Sequence, residues 1–164
     1  MADSNVIMDT GETLVGLLRE QIPDWLLPPE QIAVAGYGDF ARLPSVDAPS
    51  VTVFLHHVDV RYKLRATAQN PGLPLSLSYL VTPWAMAAAD ESRLLGTILL
   101  AINRASVVPA ALRRGDSWEE HDTVQFVINE MPRELEMQLW DAMRVPFRTS
   151  IACEAQVFQL EGPA

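Results

Sequence analysis

The residue types that could carry out chemistry in this chain are two adjacent histidines and a single cysteine. His56 and His57 lie in the middle of a segment whose pattern predicts a strand. Because neighbouring strand residues face opposite sides of the sheet, we expect that the two imidazoles do not coordinate the same metal ion. Cys153 falls inside another predicted strand, with no histidine beside it in sequence to activate a thiolate. We therefore expect no metal-binding or catalytic role for His56, His57 or Cys153.

A turn rich in acids surrounds the third histidine, His121, and consists of Glu119, Glu120 and Asp122. A solvated acidic turn explains this cluster better than a metal or acid–base site. The glycines at Gly36 and Gly38 lack the spacing and the later lysine or acid of a phosphate-binding loop, and no Gly-x-Ser-x-Gly motif is present. The sequence predicts no enzyme and no cofactor, although distant residues could still assemble a site in space.

Composition narrows the classes of partner. The chain has 164 residues, with 12 basic and 21 acidic side chains and a net charge of −9. Such a surface repels phosphate, so we expect no nucleic-acid partner. Hydrophobic residues make up 49% of the chain, which is normal for a globular protein, and we predict one domain over residues 1–164. We expect no secretory signal and no membrane insertion, because polar residues and prolines interrupt the apolar runs.

Hydrophobic periodicity predicts the elements of the N-terminal half. Asp9 and Glu12 have the spacing of a capping box, and apolar residues then recur on one helical face up to Pro23. Residues 31–35 and 50–60 predict strands, and residues 36–49 a loop. Simple alternation along the longer strand gives it two apolar faces, which predicts a central strand covered on both sides. The first face would hold Val51, Val53 and Leu55, and the second Phe54, Val58 and Val60.

Residues 74–102 form the stretch on which the rest of the chain can pack. Leu75, Leu77, Tyr79 and Val81 alternate with mostly small polar residues, so this is a strand with one apolar face. We expect Pro83 to end the strand. Asp90 is then the expected cap of a helix. The apolar face of that helix comprises Leu94, Leu95, Ile98, Leu99 and Ile102.

The C-terminal half predicts an exposed loop over residues 107–121, a strand over residues 123–128, a helix after Pro132 and a last strand over residues 150–160. The apolar stripe of this helix consists of Leu135, Leu139 and Met143, and Trp140 lies beside it. We expect Trp140 and Tyr79 to be core residues. Together these elements predict an α+β fold, close to α/β, in which about three helices pack on a twisted mixed or antiparallel sheet.

Three stretches of the chain resemble the cap, or tail-terminator, proteins of phage-tail-like contractile injection systems. The first is the Pro-Leu-…-Leu-x-Tyr-Leu-x-Thr strand over residues 74–82, followed by the Leu95-Gly96 pair. The second is Leu139-Trp140 with the later Pro146-Phe147-Arg148. The third is the Phe54-Leu55 strand with Arg65 beyond it. Their order and spacing resemble those of the N-terminal domain of such caps.

This resemblance implies a tail-terminator-like fold and a structural protein. Such caps form a hexameric ring at the distal end of the inner tube and sheath and end their polymerisation. It further implies assembly in the bacterial cytoplasm and incorporation into a particle that is released or stays in the cell. As possible contact residues we choose arginines of the loops and of the segment just before the last strand, namely Arg61, Arg65, Arg113, Arg114 and Arg148. The alternatives are another ring or connector subunit of the same tail, or a small-molecule-binding domain.

Overall fold

A computed structural model describes residues 4–40, 48–61, 74–120 and 122–158. Within these ranges the strands are β1 (Ile32–Ala35), β2 (Ser50–Val60), β3 (Leu75–Trp84), β4 (Thr123–Ile128) and β5 (Ile151–Phe158). The helices are α1 (Val6–Gln21), the single turn α2 (Tyr37–Phe40), α3 (Ala88–Arg104) and α4 (Arg133–Met143). Two 3₁₀ turns lie at Pro29–Gln31 and Ala110–Leu112. Every helix in the described ranges is too short or too polar to pass through a lipid bilayer.

The strands form one mixed sheet in the order β1-β2-β3-β5-β4. β1 pairs with β2 in parallel, and the other three neighbouring pairs are antiparallel. β3 lies at the centre because it pairs with β2 on one side and β5 on the other. The predicted α+β fold with a mixed sheet is confirmed.

The main core lies between the sheet and helices α1 and α3. The inner face of α3 is buried through Leu94, Ile98 and Ile102, as its spacing predicts. The assignment of Leu99 to this face was wrong, because its side chain is 38% exposed. The apolar face of β3 meets it, and Tyr79 there is 1% exposed. Sequestering these side chains from water is the main favourable term that holds both helices on this face.

A smaller aromatic core holds α4 on the opposite face. Trp140 is 1% exposed and lies edge-on to Trp84, with ring centroids 6.1 Å apart. Phe54 and Phe40 extend this cluster, 5.3 Å apart and also edge-on. Edge-to-face pairs add attraction beyond the area that they bury. Trp140 is therefore a core residue, as predicted.

The buried side of α4 differs from the predicted stripe. Trp140 and Met143 are buried and Leu139 is partly buried, whereas Leu135 is 50% exposed. The buried side of the helix is centred on Trp140 and Met143, which pack into the aromatic cluster on the sheet.

A β-bulge in β2 changes which residues share a face. Leu55 pairs with Tyr79, but the next pair joins His57 to Ser78, so His56 is the extra residue. The shift returns Val58 and Val60 to the α1–α3 side, where Val60 packs against the main core. The prediction that these two valines face the other way was wrong, because simple alternation does not hold across a bulge.

Three element boundaries also differ from prediction. α1 begins at Val6, so Asp9 is a buried residue inside the helix and not its cap. α3 begins at Ala88 and places Asp90 in its first turn. β3 continues through Pro83 to Trp84. Proline is tolerated there because pairing with β5 ends at Val81, which leaves one side of β3 without a strand that needs its N–H.

Candidate assembly surface

Arg61, immediately after β2, forms an ion pair with Glu154 of β5. The Glu154 side chain is 13% exposed, and its carboxylate also accepts hydrogen bonds from Asn129 (3.1 Å) and Gln156 (3.2 Å). β3 separates the two strands and presents the small residue Ser78 between them. The Arg61–Glu154 pair therefore links β2 to β5, and Glu154 also binds the β4–α4 connection through Asn129. The sequence pattern did not single out Glu154.

The segment that contains Arg113 is folded back on itself. Arg113 Nη1 donates to the carbonyl oxygens of Asp122 (2.7 Å) and Glu119 (3.3 Å). The guanidinium lies 6.0 Å from the centre of the Trp118 ring. Arg113 is therefore a structural part of this segment, and its head group is only partly accessible.

Arg114 fastens the same segment to α1. Its backbone N–H donates to Thr13 Oγ1 (2.9 Å), and its Nη2 donates to Glu20 (3.1 Å). The buried carboxylate of Asp9 accepts hydrogen bonds from both the backbone N–H and the hydroxyl of Ser117. Loop residues 113–117 thus form a fixed surface on α1, and not the loosely solvated loop that composition alone predicts.

Arg148 lies near the end of β3 and beside α3. Its guanidinium is 5.7 Å from the Trp84 ring and 3.6 Å from the Glu91 carboxylate. Arg65 lies outside the described residues. The other four chosen arginines do not converge on one patch, since Arg61 binds on the α4 face, Arg113 and Arg114 lie beside α1, and Arg148 lies beside α3.

The two histidines lie together at the bulge. His57 faces Ser78 on the α4 side, and His56 approaches the Phe54 ring on that side (6.4 Å between centroids). Burial lowers the pKa of His56, and the neighbouring His57 lowers it further. The prediction that the two side chains face opposite ways was wrong, because the bulge places both opposite one residue of β3.

A cleft of about 200 Å³ lies beside His56, under the start of α4. Its wall is mainly apolar and includes Met131, Pro132 and Leu135. Among the described residues, no three acids, histidines or cysteines lie close enough to share a metal ion. His121 lies outside the described residues.

Cys153 is buried in β5 and belongs to the main core. Burial raises the pKa of its thiol to about 12, and the Glu154 charge adds to the rise. A thiol with that pKa is protonated at neutral pH, so it is a poor nucleophile.

The two edges of the sheet differ. Residues 106–108 cover part of the β4 edge, where Phe126 N–H donates to Ser106 (2.8 Å) and Val108 N–H donates to Val124 (2.9 Å). β1 is the opposite edge, and no strand of the described residues pairs with its outer side. Arg19 Nη2 donates to the carbonyl oxygen of Ile32 at the start of this strand (2.7 Å). Within the described ranges, β1 is therefore the edge whose outer side has no strand partner, which makes it the candidate edge for an added strand.

Comparison with known proteins decides the family. The family model described as the Pvc16 N-terminal domain matches residues 9–164. The chain belongs to this family. No curated protein sequence matches the chain significantly.

The family fold agrees with two solved structures. The sheath/tube terminator of an extracellular contractile injection system, PVC, in its extended state aligns with 98% of this chain at 17% identity and a TM-score of 0.62. The tube-terminating cap of the anti-feeding prophage aligns with 93% at 15% identity and a TM-score of 0.58. This chain spans 58% and 54% of the length of those two proteins. At this identity the likeness shows a shared fold, as the resemblance in sequence predicts.

Proposed function

We propose that this chain caps the inner tube and sheath of a contractile injection particle and ends their polymerisation. The observation that carries the proposal is the family match over residues 9–164, together with a fold shared with two tube terminators. Six copies would form a ring at the end distal to the baseplate, with tube and sheath subunits as partners. Assembly would take place in the bacterial cytoplasm before the particle is released or retained.

The described structure supports a binding role over a catalytic one. Cys153 is buried with a raised pKa, and the histidine pair lies beside a mainly apolar cleft. The outer side of β1 pairs with no strand of the described residues, so it is suited to receive an extended segment of a partner through its backbone donors and acceptors. A cap that accepts a strand on its β1 edge, while part of its β4 edge is covered, offers no equivalent edge to which a further layer of tube or sheath subunits can bind.

In this proposal the arginines chosen from the sequence act by holding the contact surface in shape. Arg114 and Arg61 hold the loop on α1 and the end of β2 in position, so their loss would alter the shape of a contact surface. Glu154→Gln tests this for Arg61, since it keeps the shape and removes the charge.

The proposal is tested by locating the chain in native particles. Cryo-electron microscopy of particles that carry a labelled copy should place six labels at the distal end. Labels spread along the tube, or grouped at the baseplate, would identify another ring or connector subunit and would contradict the capping role.

A further inference from the structure

The side of α3 that points away from the sheet carries apolar residues that nothing in the described chain covers. Leu94, Ile98 and Ile102 on the inner side are buried. Leu100 and Leu99 on the outer side are 54% and 38% exposed. Single exposed leucines are ordinary on protein surfaces, so exposure alone does not identify an interface.

Gly96 lies on the same outward side, one helical turn before Leu100. A methyl group added at its Cα would meet nothing within 4 Å in the described chain. Glycine within a helix is less favourable than alanine, so the described residues give no reason for a glycine at this position. A missing Cβ does allow a second backbone to approach the helix closely.

The charges around α3 indicate which partner could approach. The chain has a net charge of −9, so two copies repel each other over most of their surfaces. On α3 the acids are already neutralised, because Asp90 pairs with Arg93 (3.3 Å) and Glu91 pairs with Arg148 (3.6 Å). Arg104 at the end of the helix pairs with no acid in the described chain. Among the described residues, one positive charge on this helix, that of Arg104, therefore has no acidic partner, and it would be attracted to another copy of this chain, whose net charge is −9.

We propose that the outward face of α3, defined as Gly96, Leu99, Leu100 and Arg104, packs against an acidic surface of the next copy of this chain. The two surfaces in such a contact differ, so the contact is head-to-tail and closes into a ring when the rotation between copies allows it. The existence of a ring rests on the proposed function, and the present proposal adds that the outward face of α3 forms the contact between neighbouring copies in that ring.

Photo-crosslinking in assembled particles tests the partner. A photoreactive phenylalanine analogue at Leu100 should give covalent dimers of this chain, whereas the analogue at Met137, an exposed position on α4, should not. Products that join Leu100 to tube or sheath subunits would overturn the proposal, as would the absence of dimers.

Gly96→Gln tests the close approach. Open space around Gly96 means that the variant should fold with the wild-type circular dichroism spectrum, yet it should be absent from particle ends. Ala142→Gln, at an exposed position on α4, is the matched control and should be incorporated normally.

The outcomes separate this contact from the capping role. Gly96→Gln rings of normal appearance at the particle end would overturn the α3 contact and leave capping intact. Wild-type protein that is absent from particle ends but still gives Leu100 dimers would support the contact and contradict capping.

Discussion

Among single residues, Trp140 joins α4 to the sheet. Its ring is 1% exposed and lies edge-on to Trp84 and, at 6.0 Å, to Phe147. Trp140→Ala should lower the free energy of unfolding by about 3–5 kcal/mol, because it removes buried surface and leaves a cavity. Denaturant titration of the purified chain measures this change. An unaltered midpoint would contradict the assignment of Trp140 to the core.

Trp140→Phe is the control for that experiment. It keeps an aromatic ring in the cluster and removes the indole N–H, which has no acceptor among the described residues. Its loss of stability should be clearly smaller than that of the alanine variant, since no hydrogen bond is broken.

Gly115 makes a closer contact than any other residue type would allow. Its φ is +87°, and an added Cβ would lie 2.0 Å from Asp9 Cγ. Gly115→Ala should therefore lower the free energy of unfolding by more than about 1 kcal/mol through backbone strain and overlap. Thermal unfolding measures the effect. Gly38→Ala lies in the helical turn α2, where an added Cβ meets nothing within 4 Å, so it should not lower stability. Equal losses in the two variants would refute this account.

At the scale of elements, the bulge in β2 should give stability a pH dependence through His56. Burial lowers the pKa of His56 from its ordinary value of 6.5, so the unfolded chain binds this proton more tightly than the folded chain. This group's contribution to stability should therefore be lost as the pH falls below 6.5 and level off below the lowered pKa. Urea midpoints at a series of pH values should fall through this window.

His56→Gln identifies the group responsible for that slope. The variant should flatten the dependence between neutral pH and the lowered pKa, while His57→Gln should retain most of it, because burial is the larger cause of the shift. A slope that is identical in wild type and His56→Gln would show that other groups cause it.

The regular elements follow from local pattern, and the departures follow from tertiary contacts. β4 could be predicted to the residue because its alternation is simple and one face is buried. The bulge could not, since it depends on the partner residues in β3. The local sequence predicts that Asp9 caps a helix, yet its carboxylate binds Ser117, 108 residues away. A contact between such distant residues cannot be predicted from the local sequence.

At the scale of the whole molecule, the family and the fold could be predicted from the order of the core motifs. The contact residues could not be predicted in the same way. Four chosen arginines have partners inside the chain, among them Glu154 at a separation of 93 residues from Arg61 and Glu20 at 94 from Arg114. Exposure of a charged residue depends on such distant partners, which a single sequence does not reveal.

The central claim concerns termination, and the lengths of particles test it most directly. Electron micrographs of particles from a strain that lacks this gene, and from the same strain carrying the gene on a plasmid, give two length distributions. If the chain ends polymerisation, the deletion should yield tubes and sheaths of uncontrolled length or few stable particles, and the plasmid should restore a single length. Particles of normal length with normal distal ends in the deletion strain would contradict the capping role.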